Sequence, residues 1–237
     1  RLLDLKEQGH ARLGQVSHLV LDEADLMLDM GFLRDVRKII AALPAKRQTM
    51  LFSATMPSDI ARLAREVLSD PVRVEVSPRT ITVEQVEQRV FFIDTANKRA
   101  LLAHLLQDAG MSRVIVFMRT KRGASRLAEQ LEKAGFSTEA IHGNKSQNAR
   151  QSALARFRNG RARILVATDV AARGIDISGV SHVVNYELPN IPESYVHRVG
   201  RTARAGAEGI ALSFCDSSER AFLRDIERIT KLPITVV

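Results

Sequence analysis

Val16-Ser17-His18-Leu19-Val20-Leu21-Asp22-Glu23-Ala24-Asp25 sets three carboxylates directly behind an apolar run. The run has the length and make-up of a buried strand. Acids so placed sit at the strand's carboxyl end, the edge of an open α/β sheet where ligands bind and where one aspartate commonly holds the Mg²⁺ of a bound nucleotide. A solvated acidic loop is the competing reading of the same residues.

Outward from this stretch, Leu33, Val36, Ile40 and Leu43 fall on one face of a helix over 31–43, which Pro44 breaks. Residues 48–52 read as a second strand running into Ser53-Ala54-Thr55. Pro57 opens a helix carrying Ile60, Leu63, Val67 and Leu68. Residues 71–76 read as a third strand. The segment 77–83 has no helical period and contains Pro78, which predicts a linker between a first domain, 1–76, and a second, 84–237.

From residue 84 onward strand and helix alternate. Strands are expected at 88–93, 113–118, 137–141, 163–167, 181–186 and 209–214, and helices at 96–109, 121–134, 147–158, 192–200 and 218–230. This alternation predicts an α/β fold, a parallel sheet covered by helices on both faces. The first segment has too few strands to close a sheet and no G-x-x-x-x-G-K-[ST] phosphate loop. It therefore reads as part of a domain with an open sheet edge, which is expected to aggregate or swap.

Composition narrows the partners. Residues 1–75 hold 11 Lys+Arg against 11 Asp+Glu, whereas 76–237 hold 24 against 16, so the whole net charge of +8 lies in the later part. A basic half suits an anionic partner, with nucleic acid the foremost candidate, although ordinary solubilising charge explains part of it. With 11 aromatics and no Trp, base stacking is a poor basis for binding, and phosphate contact is the better expectation. The single cysteine, Cys215, permits no internal disulfide and suits a reducing, cytoplasmic setting. No apolar run approaches bilayer length and no signal peptide is visible, so no membrane partner is expected.

Two further groups carry chemistry. If His197-Arg198-Val199-Gly200-Arg201-Thr202-Ala203-Arg204 is helical, His197, Arg201 and Arg204 share a face with Arg198 turned aside. Two guanidiniums on one face suit a polyphosphate, and a solvated basic helix is the alternative. His142-Gly143 with Gln147 and Arg150, and Thr168-Asp169-Val170-Ala171-Ala172-Arg173-Gly174-Ile175-Asp176, follow expected strands. Arg150 and Arg173 can bind phosphate, Thr168 can donate a hydrogen bond, and Asp176 can accept one from a ribose hydroxyl. Taken singly, His142 reads as a packed or capping residue, Asp169 as an N-cap, and Thr55 as a cap of the Pro57 helix.

Together these stretches resemble the DEAD-box RNA helicases over essentially the whole chain. The matching elements are D-E-A-D at 22–25, D-M-G-F at 29–32, S-A-T at 53–55, V-F-M-R-T-K at 116–121, Q-x-x-R at 147–150, T-D-V-A-A-R-G-I-D at 168–176 and H-R-V-G-R-T-A-R at 197–204. In detail the chain looks most like the bacterial RhlE type. The resemblance implies two RecA-like domains, the first truncated at its N-terminus and the second complete, with ATP and RNA bound across their cleft. It implies an ATP-dependent RNA helicase that separates short duplexes locally.

By position the resemblance makes Asp22 the residue that orients Mg²⁺ through water, Glu23 the activator of the attacking water, and Arg201 and Arg204 the arginine fingers. Asp176 contacts the ribose of ATP. Asp25, Ser53, Thr55 and His197 couple the domains, and Thr120, Gly143, Gln147, Arg150, Thr168 and Arg173 grip the RNA backbone. Ala203 departs from the family's commonest residue, glycine, a change costing about 1 kcal/mol or more if its φ is positive. The glycine-rich loop and the adenine-binding glutamine motif are missing, so the chain alone is expected to lack ATPase. A non-catalytic RNA-binding or scaffold module is the alternative. A DNA helicase of the same superfamily fits less well, because the box reads D-E-A-D rather than D-E-x-H.

Overall fold

Local sequence pattern and backbone pairing agree closely in the computed structural model, which describes residues 1–29, 31–53, 55–75, 86–172, 177–203 and 209–237. The chain divides into two units, Arg1–Glu75 and Val76–Val237. The expected linker, 77–83, lies outside the described residues.

The first unit contains α1 (Leu2–Glu7), β1 (His18–Leu21), α2 (Ala24–Asp29), α3 (Leu33–Ala41), β2 (Gln48–Leu51) and α4 (Ser58–Val67). Strands β1 and β2 pair in parallel, with His18 opposite Gln48 and Leu21 opposite Leu51. Side chains alternate across a strand, so Leu19, Leu21 and Leu51 face a small core completed by Val36, Leu63 and Val67. The opposite face leaves Val20 and Phe52 about half exposed. Arg37 grips Glu66 with two 3.0 Å bonds between α3 and α4; both ends are exposed, so the pair contributes about 1 kcal/mol at most.

The third strand expected at 71–76 does not form over the described residues 71–75. Val72 and Val74 are 90% and 81% exposed. Valine's strand preference reflects packing on a pleated surface, and here neither side chain has one.

The second unit is an all-parallel sheet in the order β5-β6-β4-β7-β8-β3-β9. Its elements are β3 (Val86–Phe92), α5 (Lys98–Leu105), β4 (Val114–Met118), α6 (Lys121–Lys133), β5 (Thr138–Ile141), α7 (Gln147–Arg158), β6 (Ile164–Thr168), α8 (Asp169–Ala172), β7 (His182–Asn185), α9 (Pro192–Val199), β8 (Gly209–Cys215), a 3₁₀ turn (Ser217–Glu219), α10 (Arg220–Thr230) and β9 (Thr235–Val236). Parallel strands covered on both faces read as continuous apolar runs. Accordingly every residue of β4 and β6 is buried.

The two faces use alternate residues. Val114, Val116, Ile164 and Val166 pack with Leu102 of α5 and Leu127 and Leu131 of α6. Ile115, Phe117, Leu165 and Ala167 pack with Phe157 of α7. Toward the β8 side, Ala211 and Cys215 meet Tyr195 and Val199 of α9 and Leu223 and Ile226 of α10. Truncating any such Leu or Ile to Ala costs about 2–5 kcal/mol. Helices on both faces therefore fix where each parallel strand ends.

Candidate functional site

In the first unit, β1 delivers Asp22 and Glu23 to its carboxyl end, and the neighbouring β2 delivers Ser53 and Thr55 to the same edge. The acids divide into two kinds. Asp25 is buried, and its Oδ2 accepts from both the backbone N–H and the hydroxyl of Thr55 at 2.8 Å. Ser53 Oγ accepts from the Asp25 N–H at 3.1 Å and donates to the Thr55 carbonyl at 2.6 Å. Thr55 is thus bound to Asp25 and is not the cap of α4, whose N-cap is Pro57.

Asp22 is exposed, and one of its oxygens accepts from the Glu23 N–H at 2.9 Å. Glu23 is half-buried and held at φ +53°. A side chain in this left-handed region costs roughly 1–2 kcal/mol, and such strain gathers at functional positions. One accessible carboxylate suits Mg²⁺, which keeps several waters and relies on substrate oxygens rather than a protein cage. Among the described residues no cluster of three or more His, Cys, Asp or Glu could hold a metal alone.

In the second unit, Thr120, Gly143 and Thr168 lie at the carboxyl ends of β4, β5 and β6, three adjacent strands. Thr120 caps α6, its Oγ1 accepting from the Gly123 N–H at 3.0 Å. A side chain at 123 would crowd this cap: a Cβ there would stand 2.8 Å from Thr120 Oγ1 and 2.9 Å from Met118 Cε, so one of those side chains would have to shift. Gln147 and Arg150 open α7 behind its Ser146 cap. The Arg150 Nε is buried with no hydrogen-bond partner among the described residues.

His197 lies on α9, and Arg201 follows just beyond its end, donating from Nε to the His197 carbonyl at 3.2 Å. Both are half-buried. They border a crevice of about 10 Å³, room for a single water, with Phe117, Asp169, Ser194 and Arg198. Arg173, Asp176 and Arg204 lie outside the described residues. Ala203 has φ +52° and is buried, so the cost foreseen for replacing glycine applies.

Sequence reasoning missed the role of Arg198. It is 1% exposed and forms a two-bond pair with Asp169, Nε to Oδ1 at 2.6 Å and Nη2 to Oδ2 at 2.8 Å. Its Nη1 donates to Asn185 Oδ1 at 3.1 Å and to the Glu187 carbonyl at 2.7 Å, and its guanidinium lies 5.1 Å from the Phe117 ring centroid. Thus the helix leading to Arg201 is tied to the residue after Thr168. A signal was available, because Tyr195, Arg198, Val199 and Thr202 recur at helical spacing and all are buried. An arginine within such a stripe calls for an acid from another element.

A second buried network carried no sequence signal. Lys98 contacts Asp216 at 3.0 Å and Glu219, and Glu219 accepts from the Leu188 N–H at 3.0 Å and meets Arg119 at 3.4 Å. Burial alone would raise the Asp216 pKa, but hydrogen bonds from Ser218, Lys98 and Thr95, together with the Lys98 charge, hold it far below the usual carboxylate range. The network ties the start of α5 to the segments after β4, β7 and β8.

An all-parallel, doubly wound sheet with polar side chains along its carboxyl strand ends is the architecture of a RecA-like α/β protein. Residues 1–63 match the DEAD/DEAH box helicase model and residues 97–206 the helicase conserved C-terminal domain. The DEAD-box ATP-dependent RNA helicase CshA of Geobacillus kaustophilus is 48% identical over 98% of this chain and 50% of its own length. Among solved structures, S. cerevisiae Dbp5 bound to RNA and ADP BeF3 is similar with a TM-score of 0.89 at 33% identity, covering 99% of this chain and 63% of that one. E. coli SrmB bound to RraA is 40% identical with a TM-score of 0.62, covering 64% of this chain and 90% of that one.

The chain belongs to the DEAD-box RNA helicase family. It spans about half the length of the curated relatives it matches. Those relatives are of the CshA type and leave the finer RhlE-type likeness without support.

Proposed function

We propose that the chain is the part of an ATP-dependent RNA helicase that supplies the acids, the arginines and an RNA-backbone grip to local, ATP-driven separation of short duplexes. The observation that carries this reading is the division of labour within Asp22-Glu23-Ala24-Asp25. Asp25 is engaged by Thr55, while Asp22 and Glu23 keep carboxylates accessible to a ligand.

In this reading Asp22 holds Mg²⁺ through water, and Mg²⁺ when bound neutralises phosphate charge. Glu23 orients a water toward the γ-phosphorus and takes its proton as the new P–O bond forms and the bond to the β-phosphate oxygen breaks, releasing ADP and phosphate. Arg201 and Arg204 stabilise charge developing on the γ-phosphate oxygens, and Asp176 accepts from the ribose. Asp25, Ser53, Thr55 and His197 couple RNA binding to hydrolysis, so each favours the other.

Thr120, Gly143, Gln147, Arg150, Thr168 and Arg173 hold RNA by its backbone. Such contacts position a strand without reading its bases, and the 2′-OH distinguishes RNA from DNA. A cytoplasmic setting accords with one buried cysteine whose thiol burial pushes up to about 11. No helix among the described residues is long and apolar enough to cross a membrane.

The test is phosphate release by the full-length parent with RNA and with DNA. RNA-specific stimulation is expected, and its absence rejects the reading. Arg201→Ala in that protein should depress turnover by about 10³, the scale of an arginine finger, with RNA affinity in the absence of nucleotide nearly unchanged. The sequence contains no G-x-x-x-x-G-K-[ST] loop, which favours a second reading for the chain by itself, an RNA-binding module without turnover. Robust ATPase from the chain alone would dismiss that one.

A further inference from the structure

A shallow depression of about 230 Å³ on the outer face of α6 is lined by Lys121, Arg122, Ser125, Arg126, Glu129 and His142, with Asn144 at its rim. Three cations face one acid there. Lys121 donates to the neutral Asn144 Oδ1 at 3.0 Å and so keeps its charge. Arg122 and Arg126 are exposed and form no ion pair among the described residues. None of these side chains belongs to the nucleotide-binding or RNA-gripping set proposed above.

His142 gives the depression a fixed donor. The Asn144 backbone N–H can only donate, and it points at His142 Nδ1 at 3.3 Å. Nδ1 is therefore the acceptor, which places the ring proton on Nε2, 2.7 Å from Ser125 Oγ. Burial, reinforced by Lys145 and Lys121, lowers the His142 pKa and keeps the ring neutral. With its oxygen accepting from His142, Ser125 has its own hydroxyl proton left to donate, and it donates to no protein group among the described residues. A fixed hydroxyl donor flanked by three cations is suited to a tetrahedral oxyanion.

We infer that this face of α6 is a phosphate-binding subsite that takes a backbone phosphate of an RNA strand extending beyond the Thr120, Gly143 and Thr168 contacts. Continuity favours RNA over an acidic protein segment. Lys121 follows Thr120 directly, and its Cε would stand 3.3 Å from a Cβ placed on Gly143, so the depression adjoins two residues of the proposed backbone grip. The helix's free amides are not the basis of the site, since Thr120 already occupies the Gly123 N–H.

The inference rests on the RNA-binding reading, and the test separates the two. The chain, Arg122→Gln/Arg126→Gln and Ser125→Ala are titrated with a short oligo(U) spanning only the strand-end contacts and with one extended at both ends, over a range of salt. Circular dichroism verifies that each variant is folded. The double variant should bind the extended RNA more weakly, with a salt slope shallower by about 0.7 for each phosphate it no longer neutralises, and bind the short RNA as the unaltered chain does. Ser125→Ala should weaken only the extended RNA and leave the slope unchanged, since it removes no charge. Equal weakening on both RNAs, or no change on either, overturns the subsite while leaving the RNA reading in place. Competition by poly-aspartate that exceeds competition by RNA overturns it in favour of an acidic protein partner. Failure of the unaltered chain to bind even the short RNA removes the RNA reading and this inference together.

Discussion

Arg198 and Asp169 form a two-bond ion pair in which the arginine is almost wholly enclosed and the aspartate side chain retains about a quarter of its exposure. The pair joins α9 to the start of α8, next to Thr168, so the segment before Arg201 and a proposed RNA contact share one rigid connection.

Breaking that pair leaves Asp169, Asn185 and the Glu187 carbonyl without their donor. Arg198→Ala is expected to cost about 3–5 kcal/mol, the usual penalty for stranding one partner of a buried pair. Arg198→Lys should recover only part of it, because an ammonium cannot reproduce the planar fork. Urea unfolding of the two variants measures both; a loss under about 1 kcal/mol for Ala contradicts this account.

Acid should destabilise the second unit through Asp216. Its folded pKa lies below the unfolded value of about 3.9. Below that value the unfolded chain binds the proton and the folded one does not, so stability rises with pH there. The contribution is complete above about pH 4 and fades as pH falls toward the folded value. Asp216→Asn should lower stability at neutral pH by about 2 kcal/mol, the scale of a charged hydrogen bond, and flatten the acid limb of the profile. Thermal unfolding across pH in both proteins gives the comparison.

Left-handed backbone at non-glycine residues offers a graded series. Lys231 ends α10 at φ +55° and is exposed, so Lys231→Gly should stabilise by about 1 kcal/mol. Ala203→Gly relieves similar strain but removes a buried methyl worth about 0.8 kcal/mol, giving nearly no net change. Glu23→Gly should stabilise the first unit by about 1 kcal/mol while abolishing turnover in the parent. Melting temperatures rank the three; a destabilised Lys231→Gly is the outcome that refutes the strain argument.

Gly123→Ala should impair RNA binding without unfolding the chain. Alanine gains about 1 kcal/mol of helix propensity over glycine, while its Cβ displaces the Thr120 hydroxyl. RNA titration beside a thermal melt distinguishes this from general damage, and unchanged affinity would remove Thr120 from the backbone grip.

Much of the architecture was legible in the sequence because parallel strands buried on both faces are written as unbroken apolar runs, and β4 and β6 show that pattern plainly. Helix α7 begins at Gln147 and ends at Arg158 as expected, between its Ser146 cap and Gly160. Short elements were missed for want of periodicity: α1, α2 and α8 are four to six residues long, and β9 has two. Val72 and Val74 misled because propensity was read without a pairing partner. The acids and Ser53-Ala54-Thr55 were visible as motifs, but the engagement of Asp25 by Thr55 depends on parallel pairing of β1 with β2. Lys98 and Glu219 are separated by most of the unit, and only the fold discloses their contact.

The pairing of β3 also has a temporal side. Among the described residues it is the first strand of its unit in sequence, yet its neighbours on either side are β8 and β9, the last two. A ribosome adding about 5–20 residues per second would leave Val86–Phe92 without either neighbour for roughly 6–25 s. Throughout that interval the strand, whose Val86 and Val90 are buried in the finished fold, waits for β8 to be made. Until then both edges of β3 are open to pairing with other nascent chains, a hazard that belongs to synthesis and precedes any meeting with substrate.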